Sequence, residues 1–475
     1  MTKKMTTQAV KALHEKLVRQ PALVWDRLTT VGQKQALALA EDYKQFLDAA
    51  KTERLAVGAI VRELKKAGFV DIAAATRKHR KVYGVYRDKA VAAAVLGGRG
   101  VGRGLNLIGA HIDSPRLDLK QNPLYEEVDL AMLKVHYYGG IRKYQWLARP
   151  LALYGRVIRQ DGTGVDIAVG DDPADPVFTI ADLLPHLARK LQANKKLGEA
   201  FDGEKLNLVA GSFPLGDPKA KDRFKLFVLR HLHEQYGLIE EDLLSAELEA
   251  VPAGRARDVG FDRSLIGGYG QDDRVCAYTL LRAVTALKQP EKTAVALFFD
   301  KEEIGSEGNS GAKSVIMADF VSDLLGLAGE AADERTLRKT LARTTALSAD
   351  VNGALDPDYQ EVHEKRNAAR LGYGVCITKF TGSGGKSGAS DASAEYVGRV
   401  RRIFNRAGIV WQTGELGRVD EGGGGTIAKY LAEYGMEIVD CGPALLAMHA
   451  PFEISSKGDV YMTFQAYQAF FAAVD

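Results

Sequence analysis

From residue 255 onward, short apolar runs alternate with stretches of helical period, and this rhythm constrains the fold more than any other feature. "TAVALFFD" (293–300), "TTALSADV" (344–351) and "GMEIVDCGP" (435–443) read as buried strands. Between and around them, "DDRVCAYTLLRAVTALK" reads as an amphipathic helix, and "SGAKSVIMADFVSDLL", "SAEYVGRVRRIFNRAG" and "DVYMTFQAYQAFFAAV" as further helices. Earlier, residues 6–70 carry apolar residues at helical spacing, "KVYGVYRDKAVAAAVLG" predicts two strands around a short turn, and "GLNLIGAHIDSP" a strand that stops at proline. The texture changes over 121–254, which is aromatic, β-branched and turn-rich, with "IADLLPHLARKL" as a helix inside it. "RFKLFVLRHLHEQYG" fits strand or helix, and the glycine-rich "FTGSGGKSGAS" (380–390) reads as a loop. The expectation is an α/β fold: a mixed sheet flanked by helices, built from residues 1–120 and 255–475, interrupted by a β-rich insertion over 121–254.

Bulk properties exclude more than they assign. The 475 residues are 46% hydrophobic and 26% charged, enough for a sizeable core. A net charge of +3, from 64 basic and 61 acidic residues, gives no basis for nucleic acid or a membrane surface as partner. No long apolar run predicts a membrane span, the first residues carry lysines without an apolar leader core, and the three cysteines form no CxxC pair. A cytoplasmic protein is the expectation. "GGKS" lacks the glycine of a phosphate loop at Phe380, and "HLHEQYG" has Gly237 where a zinc-protease helix needs histidine. "GRGVGRG" precedes a strand instead of following one, and no Gly-x-Ser-x-Gly elbow supports a serine nucleophile.

What the motif search leaves is a set of polar residues at strand ends, where ligands bind in open α/β sheets. "LNLIGA" runs into His111 and Asp113, "AVALFFD" into Glu302 and Glu303, "TTALSA" into Asp350, and "EIVDCGPALLAM" towards His449, with Asp272 and Asp273 opening a helix. Taken singly each has an ordinary explanation: a core histidine, a helix-start acid, a turn aspartate, a solvated glutamate pair. Gathered at one edge, the acids repel and resist desolvation unless they take up protons or a cation is present. Imidazole and carboxylate together suit borderline divalent ions such as zinc. Two such ions about 3.5–4 Å apart activate a water and clamp the reacting oxygens. In extended chain, neighbouring side chains point to opposite sides. Glu302 and Glu303 can then divide the work, one binding metal and the other free to accept a proton. His111 and Asp113, two apart, face the same way, so Asp113 can support the ligand.

"GAHIDSPRLDLK", "YGQDDRVCAY", "DKEEIGSEG", "LSADVNGALDP" and "GPALLAMHAPFEI", in this order from 109 to 454, resemble the aspartyl-aminopeptidase family of two-metal aminopeptidases. The resemblance implies that His111 and Asp350 hold one ion, that Glu303 and His449 hold the other, and that Asp272 bridges them. It implies Glu302 as general base, Asp113 as the residue orienting the first site, and hydrolysis of the first peptide bond of substrates with a free N-terminus. Zinc is the implied ion, with cobalt or manganese as alternatives. It also implies a homo-oligomer built from dimers, up to twelve subunits, in which the insertion mediates assembly and His186 reaches a neighbour's site. On the substrate side it implies Lys379, with Lys386 a poorer candidate, and the glycine-and-threonine loop containing Gly424 and Thr426, whose amides open a helix.

The chain departs from the family pattern in two places. The acid pair Asp272–Asp273 precedes arginine, which leaves the role of Asp273 open, and 379–390 matches poorly the region that recognises acidic first residues. Acidic and neutral first residues both stay open. Another two-metal amidohydrolase, a carboxypeptidase or N-deacylase, is the nearest chemical alternative. A non-catalytic assembly or cargo-binding protein on the same scaffold is the alternative from another class.

Overall fold

The computed structural model describes residues 5–474. Nine strands form the main sheet, in the order Val70–Asp71, Lys81–Tyr86, Ala90–Val95, Ala294–Phe299, Asn106–His111, Thr345–Ser348, Glu437–Gly442, Val375–Thr378 and Trp411–Thr413. The strands from Ala294–Phe299 to Glu437–Gly442 run parallel, with Phe299 beside His111 and Ser348 beside both Gly109 and Asp440. Their carboxyl ends therefore share one edge.

Both faces of this sheet are covered, which is why its strands read as unbroken apolar runs. Alternate residues of one strand enter different cores: Ala294, Ala296 and Phe298 on one face, Val295, Leu297 and Phe299 on the other. The first core takes in helices Thr30–Ala49, Glu53–Lys66, Gln271–Ala286, Ala394–Arg406 and Lys457–Ala472. The second takes in Ile316–Ala328, Glu334–Ala342 and Ala428–Ala432. The helix Gln271–Ala286 is not amphipathic as expected: every residue from Gln271 to Leu281 is buried. It lies between the sheet and the helices Lys457–Ala472 and Thr30–Ala49, where the rings of Tyr43 and Tyr278 sit 5.2 Å apart.

A second, wholly antiparallel sheet is drawn from residues 116–252, in the order Gly164–Val169, Leu151–Ile158, Glu247–Pro252, Arg116–Glu127, Leu130–Tyr138 and Leu208–Gly211. The ambiguous segment is a helix, Arg223–Tyr236, that lays Phe224, Val228, Leu229 and Leu232 on this sheet's core and stops at Gly237 with φ +68°. A third sheet of five short strands includes Leu265–Gly268, Asn352–Gly353, Ala444–Leu446 and Glu453–Ser456, the segments that flank Asp272, Asp350 and His449. The expected loop at 380–390 is instead a hairpin, Phe380–Ser383 with Ser387–Asp391. Gly384 and Gly385, at φ +58° and +67°, supply the left-handed backbone its turn needs. No helix among the described residues is long and apolar enough to cross a membrane, and all three cysteines are buried free thiols.

Ser393 caps the helix Ala394–Arg406 by accepting from the Tyr396 amide, and the same helix buries Phe404 completely. Phe404→Ala is expected to destabilise the chain by about 3–5 kcal/mol, read as a lower denaturant midpoint with unchanged secondary structure by circular dichroism.

Candidate metal centre

The shared edge of the parallel strands delivers the site. His111 is the last residue of its strand and is buried. Asp350 lies two residues past Ser348, and His449 sits in the turn before Glu453–Ser456 at φ +64°. Asp272 follows Gly270, whose φ of +73° lets the chain enter the buried helix. After Asp300, Lys301 at φ +65° turns the chain into a single 3-10 turn, Glu302–Ile304.

That turn corrects the expectation of extended backbone at the glutamate pair. A tight helical turn, and not strand alternation, fans the two side chains apart. Glu302 Oε2 ends 4.0 Å from His111 Nε2, and Glu303 Oε1 lies 3.4 Å from His449 Nε2. Asp113 also lies beyond its strand, so it does not simply share a face with His111. Its carboxylate curls back to 3.3 Å from His111 Nδ1 and accepts the amides of Glu302 and Glu303, one on each oxygen at 3.1 Å. One buried carboxylate thus sets the position of both glutamates.

Asp272 stands between the two imidazoles. Its Oδ1 is 3.2 Å from His111 Nε2 and its Oδ2 is 3.1 Å from His449 Nε2. Each histidine meets a backbone carbonyl through its other nitrogen: Asp113 for His111 at 3.1 Å, Gly140 for His449 at 2.9 Å. A carbonyl only accepts, so each Nδ1 carries a proton, and each Nε2, which faces Asp272, would offer its lone pair to a bound cation once its own proton is displaced. Asp273 accepts the His111 amide at 3.2 Å, which gives the second acid of the pair a supporting contact.

The titration pattern follows from burial and crowding. Burial lifts Glu302 to about 7, with Asp113 and Asp272 pushing the same way against the two histidines. Burial likewise drives Glu303 and Asp350 well above the usual carboxylate range, with neighbouring acids adding to it. Asp272 goes the other way: burial opposes ionisation, but His111 and His449 hold its carboxyl well below the ordinary value. These groups cannot all be charged together unless something positive lies among them.

The donor set suits a divalent cation. Ligand atoms of His111, Asp272 and Glu303 lie within 4.8 Å of one another, as do those of Asp272, Asp273 and Asp350, and Asp272 belongs to both groups. Asp272 Oδ1, Asp273 Oδ1 and Glu303 Oε1 are buried without a hydrogen-bond partner. A metal ion among them would satisfy such oxygens.

A cavity of about 420 Å³ opens beside these groups, lined by Asp272, Glu302, Glu303, Asp350 and His449 and walled by the glycine loop 422–425 and the 380–391 hairpin. Gly424 and Thr426 line it. The helix after them has only five residues, Ala428–Ala432, and its first amide is taken by the Thr426 hydroxyl at 3.3 Å. Lys379 is not on the cavity wall: its ammonium lies over the Phe380 ring, 4.3 Å from the centroid. Lys386 is exposed. His186 is exposed on the helix Pro185–Leu191 and does not line this chain's cavity. Arg418, unremarked in the sequence, is on the wall beside Glu421, 3.8 Å away.

Glu453 is a further residue of the site, outside the candidates at the strand ends. Buried to 1% exposure, it accepts the His449 amide at 2.8 Å and the Asp272 amide at 3.1 Å, one on each oxygen. It ties together two segments far apart in the chain. An acid four residues after a candidate ligand histidine was the available signal.

The family model for aminopeptidase I zinc metalloprotease (M18) matches residues 46–471. "Probable M18 family aminopeptidase 1" of Clostridium acetobutylicum is 48% identical over 460 residues, covering 96% of this chain and 98% of its own. The crystal structure of an M18 aminopeptidase from Thermotoga maritima superposes with a TM-score of 0.91 at 48% identity, covering 95% of this chain and 99% of that one. More distantly, mApe1 of S. cerevisiae, described as a dodecamer, shares the fold with a TM-score of 0.72 at 21% identity, covering 91% of this chain and 96% of that one. The chain therefore belongs to the aminopeptidase I zinc metalloprotease family, M18, and is a zinc metallo-aminopeptidase that removes N-terminal residues from peptides.

Proposed function

We propose that hydrolysis takes place at a centre of two divalent ions, zinc first and cobalt or manganese as substitutes. His111 and Asp350 would hold one, Glu303 and His449 the other, and Asp272 both. The single observation that carries this reading is Asp272, whose two oxygens face the two histidine Nε2 atoms at 3.2 and 3.1 Å. When bound, such ions supply Lewis acidity, lowering the pKa of a water and polarising the scissile carbonyl.

The chain's own groups do the rest. Glu302 accepts the water's proton at its carboxylate and later gives it to the leaving amine, a task suited to a carboxyl lifted to about 7 by burial. Asp113 keeps Glu302 and Glu303 in place through their amides. The cavity takes the first residue of a peptide with a free N-terminus, with Gly424 and Thr426 on its wall and Lys379 at its margin. The segment 121–254 acts as an insertion that builds a homo-oligomer, dimers first and a dodecamer in full. In that assembly His186 reaches the neighbour's cavity and helps hold the reacting carbonyl. Its exposure on one chain and the dodecameric relative of the same fold both support this. The three free thiols fit a cytoplasmic setting.

Glu302→Ala is expected to keep its metal, measured by elemental analysis, while losing most turnover, a fall of about 10²–10⁴-fold for a lost acid–base group. Metal loss with retained activity would reverse the roles of Glu302 and Glu303. Free peptides should be cleaved and acetylated ones left intact, which separates this reading from a carboxypeptidase or N-deacylase. His186→Ala should impair catalysis without lowering metal content. Mixed oligomers of His186→Ala and Glu302→Ala subunits should regain part of the activity, and no regain would remove the cross-subunit role.

A further inference from the structure

The second sheet reaches the metal centre through the end of one strand. Tyr138 ends the strand Leu130–Tyr138, and Gly139 and Gly140 continue from it. The Tyr138 hydroxyl is buried and donates to Asp113 Oδ2 at 2.8 Å, on the oxygen that also accepts the Glu303 amide. Its ring is held in place across the strand pair: Arg116 is its register partner, with the guanidinium carbon 3.8 Å from the ring centroid. Arg116 is itself anchored by Asp118 at 2.8 Å, Glu249 at 3.4 Å and Glu53 at 3.5 Å.

Gly139 then turns the chain at φ +74°, and a Cβ there would stand 3.3 Å from both Cβ and Oε2 of Glu303. The Gly140 carbonyl accepts from His449 Nδ1. Three consecutive residues therefore meet Asp113, Glu303 and His449.

We propose that Tyr138–Gly140 is a positioning strap by which the second sheet sets the geometry of the zinc ligands, through the Tyr138 hydroxyl on Asp113 and the Gly140 carbonyl on His449. This rests on the zinc reading above. An imidazole whose Nδ1 lacks an acceptor can turn about its side-chain bonds and change tautomer, and a ligand-orienting carboxylate that loses a donor can swing away. Loss of such outer partners weakens metal binding by about 10–100-fold. A Cβ at 139 or 140 would press on Glu303 or on the His449 ring at 3.3 Å, and residue 139 also takes a left-handed turn that favours glycine.

The test compares wild type, Y138F, G139A and a control, Y137F, each stripped of metal and titrated with zinc against a chromophoric chelator. Tyr137 is the adjacent, exposed residue of the same strand. Y138F keeps the ring and its stacking on Arg116 and removes one hydroxyl. Y138F and G139A are expected to bind zinc about 10–100-fold more weakly. Their cobalt-substituted forms should show an altered visible spectrum, while the metal-free melting temperature of Y138F stays within about 2 °C of wild type. Y137F should match wild type throughout. Should G139A not fold, Y138F decides alone. Unchanged zinc affinity and cobalt spectrum in Y138F overturn the strap, and so does an equal loss in Y137F, which would mark general loosening of the sheet. Wild-type protein that takes up no zinc would sink the centre itself, whereas zinc-loaded wild type with an unaltered Y138F sinks only the strap.

Discussion

Asp272 and the two imidazoles that face it are the interaction on which the rest of the structure depends. A carboxylate at 4% exposure is costly to ionise. Here a histidine nitrogen stands at each oxygen and favours the charged form. The surrounding acids, Glu303 and Asp350, are pushed the opposite way by the same burial. An arrangement that divides its carboxyls between strongly favoured and strongly disfavoured charge is complete only with a cation among them. Much of the local architecture serves to hold this state. The helix behind Asp272 is buried on all sides, Gly270 lets the chain enter it, and Glu453 fixes the Asp272 and His449 amides at once.

The neighbouring glutamates show how a small backbone change sends identical groups to different places. Lys301 in the left-handed region ends the strand and starts one 3-10 turn. Glu303 then points to His449, while Glu302 remains beside His111 and the cavity. Asp113 accepts from both through their amides, so displacing that one carboxylate would disturb both glutamates together. Its own position depends on His111 on one side and Tyr138 on the other.

The candidate ligands come from separate parts of the chain and from more than one sheet. The main sheet supplies His111, the Glu302–Glu303 turn and Asp350 from parallel strand ends. The third sheet's strands bracket Asp272 and His449, and the second sheet contributes Tyr138 and the Gly140 carbonyl. No one sheet holds a complete set.

The candidate ligands and the candidate base could be singled out from the chain alone, because each sits just past an apolar run or at a helix start, and such patterns are local. The alternation of strand and helix was legible for the same reason: strands buried on both faces are uniformly apolar. The different directions taken by Glu302 and Glu303 depend on a turn set by Lys301 and Gly305 in left-handed backbone, which periodicity does not register. Glu453, Tyr138 and the Gly140 carbonyl were hidden altogether. Their partners are 181, 25 and 309 positions away, and only packing of three sheets against one another brings them within a hydrogen bond. Residue chemistry and local period belong to the sequence, whereas the angle at which a ligand is held is a long-range contact and belongs to the folded chain.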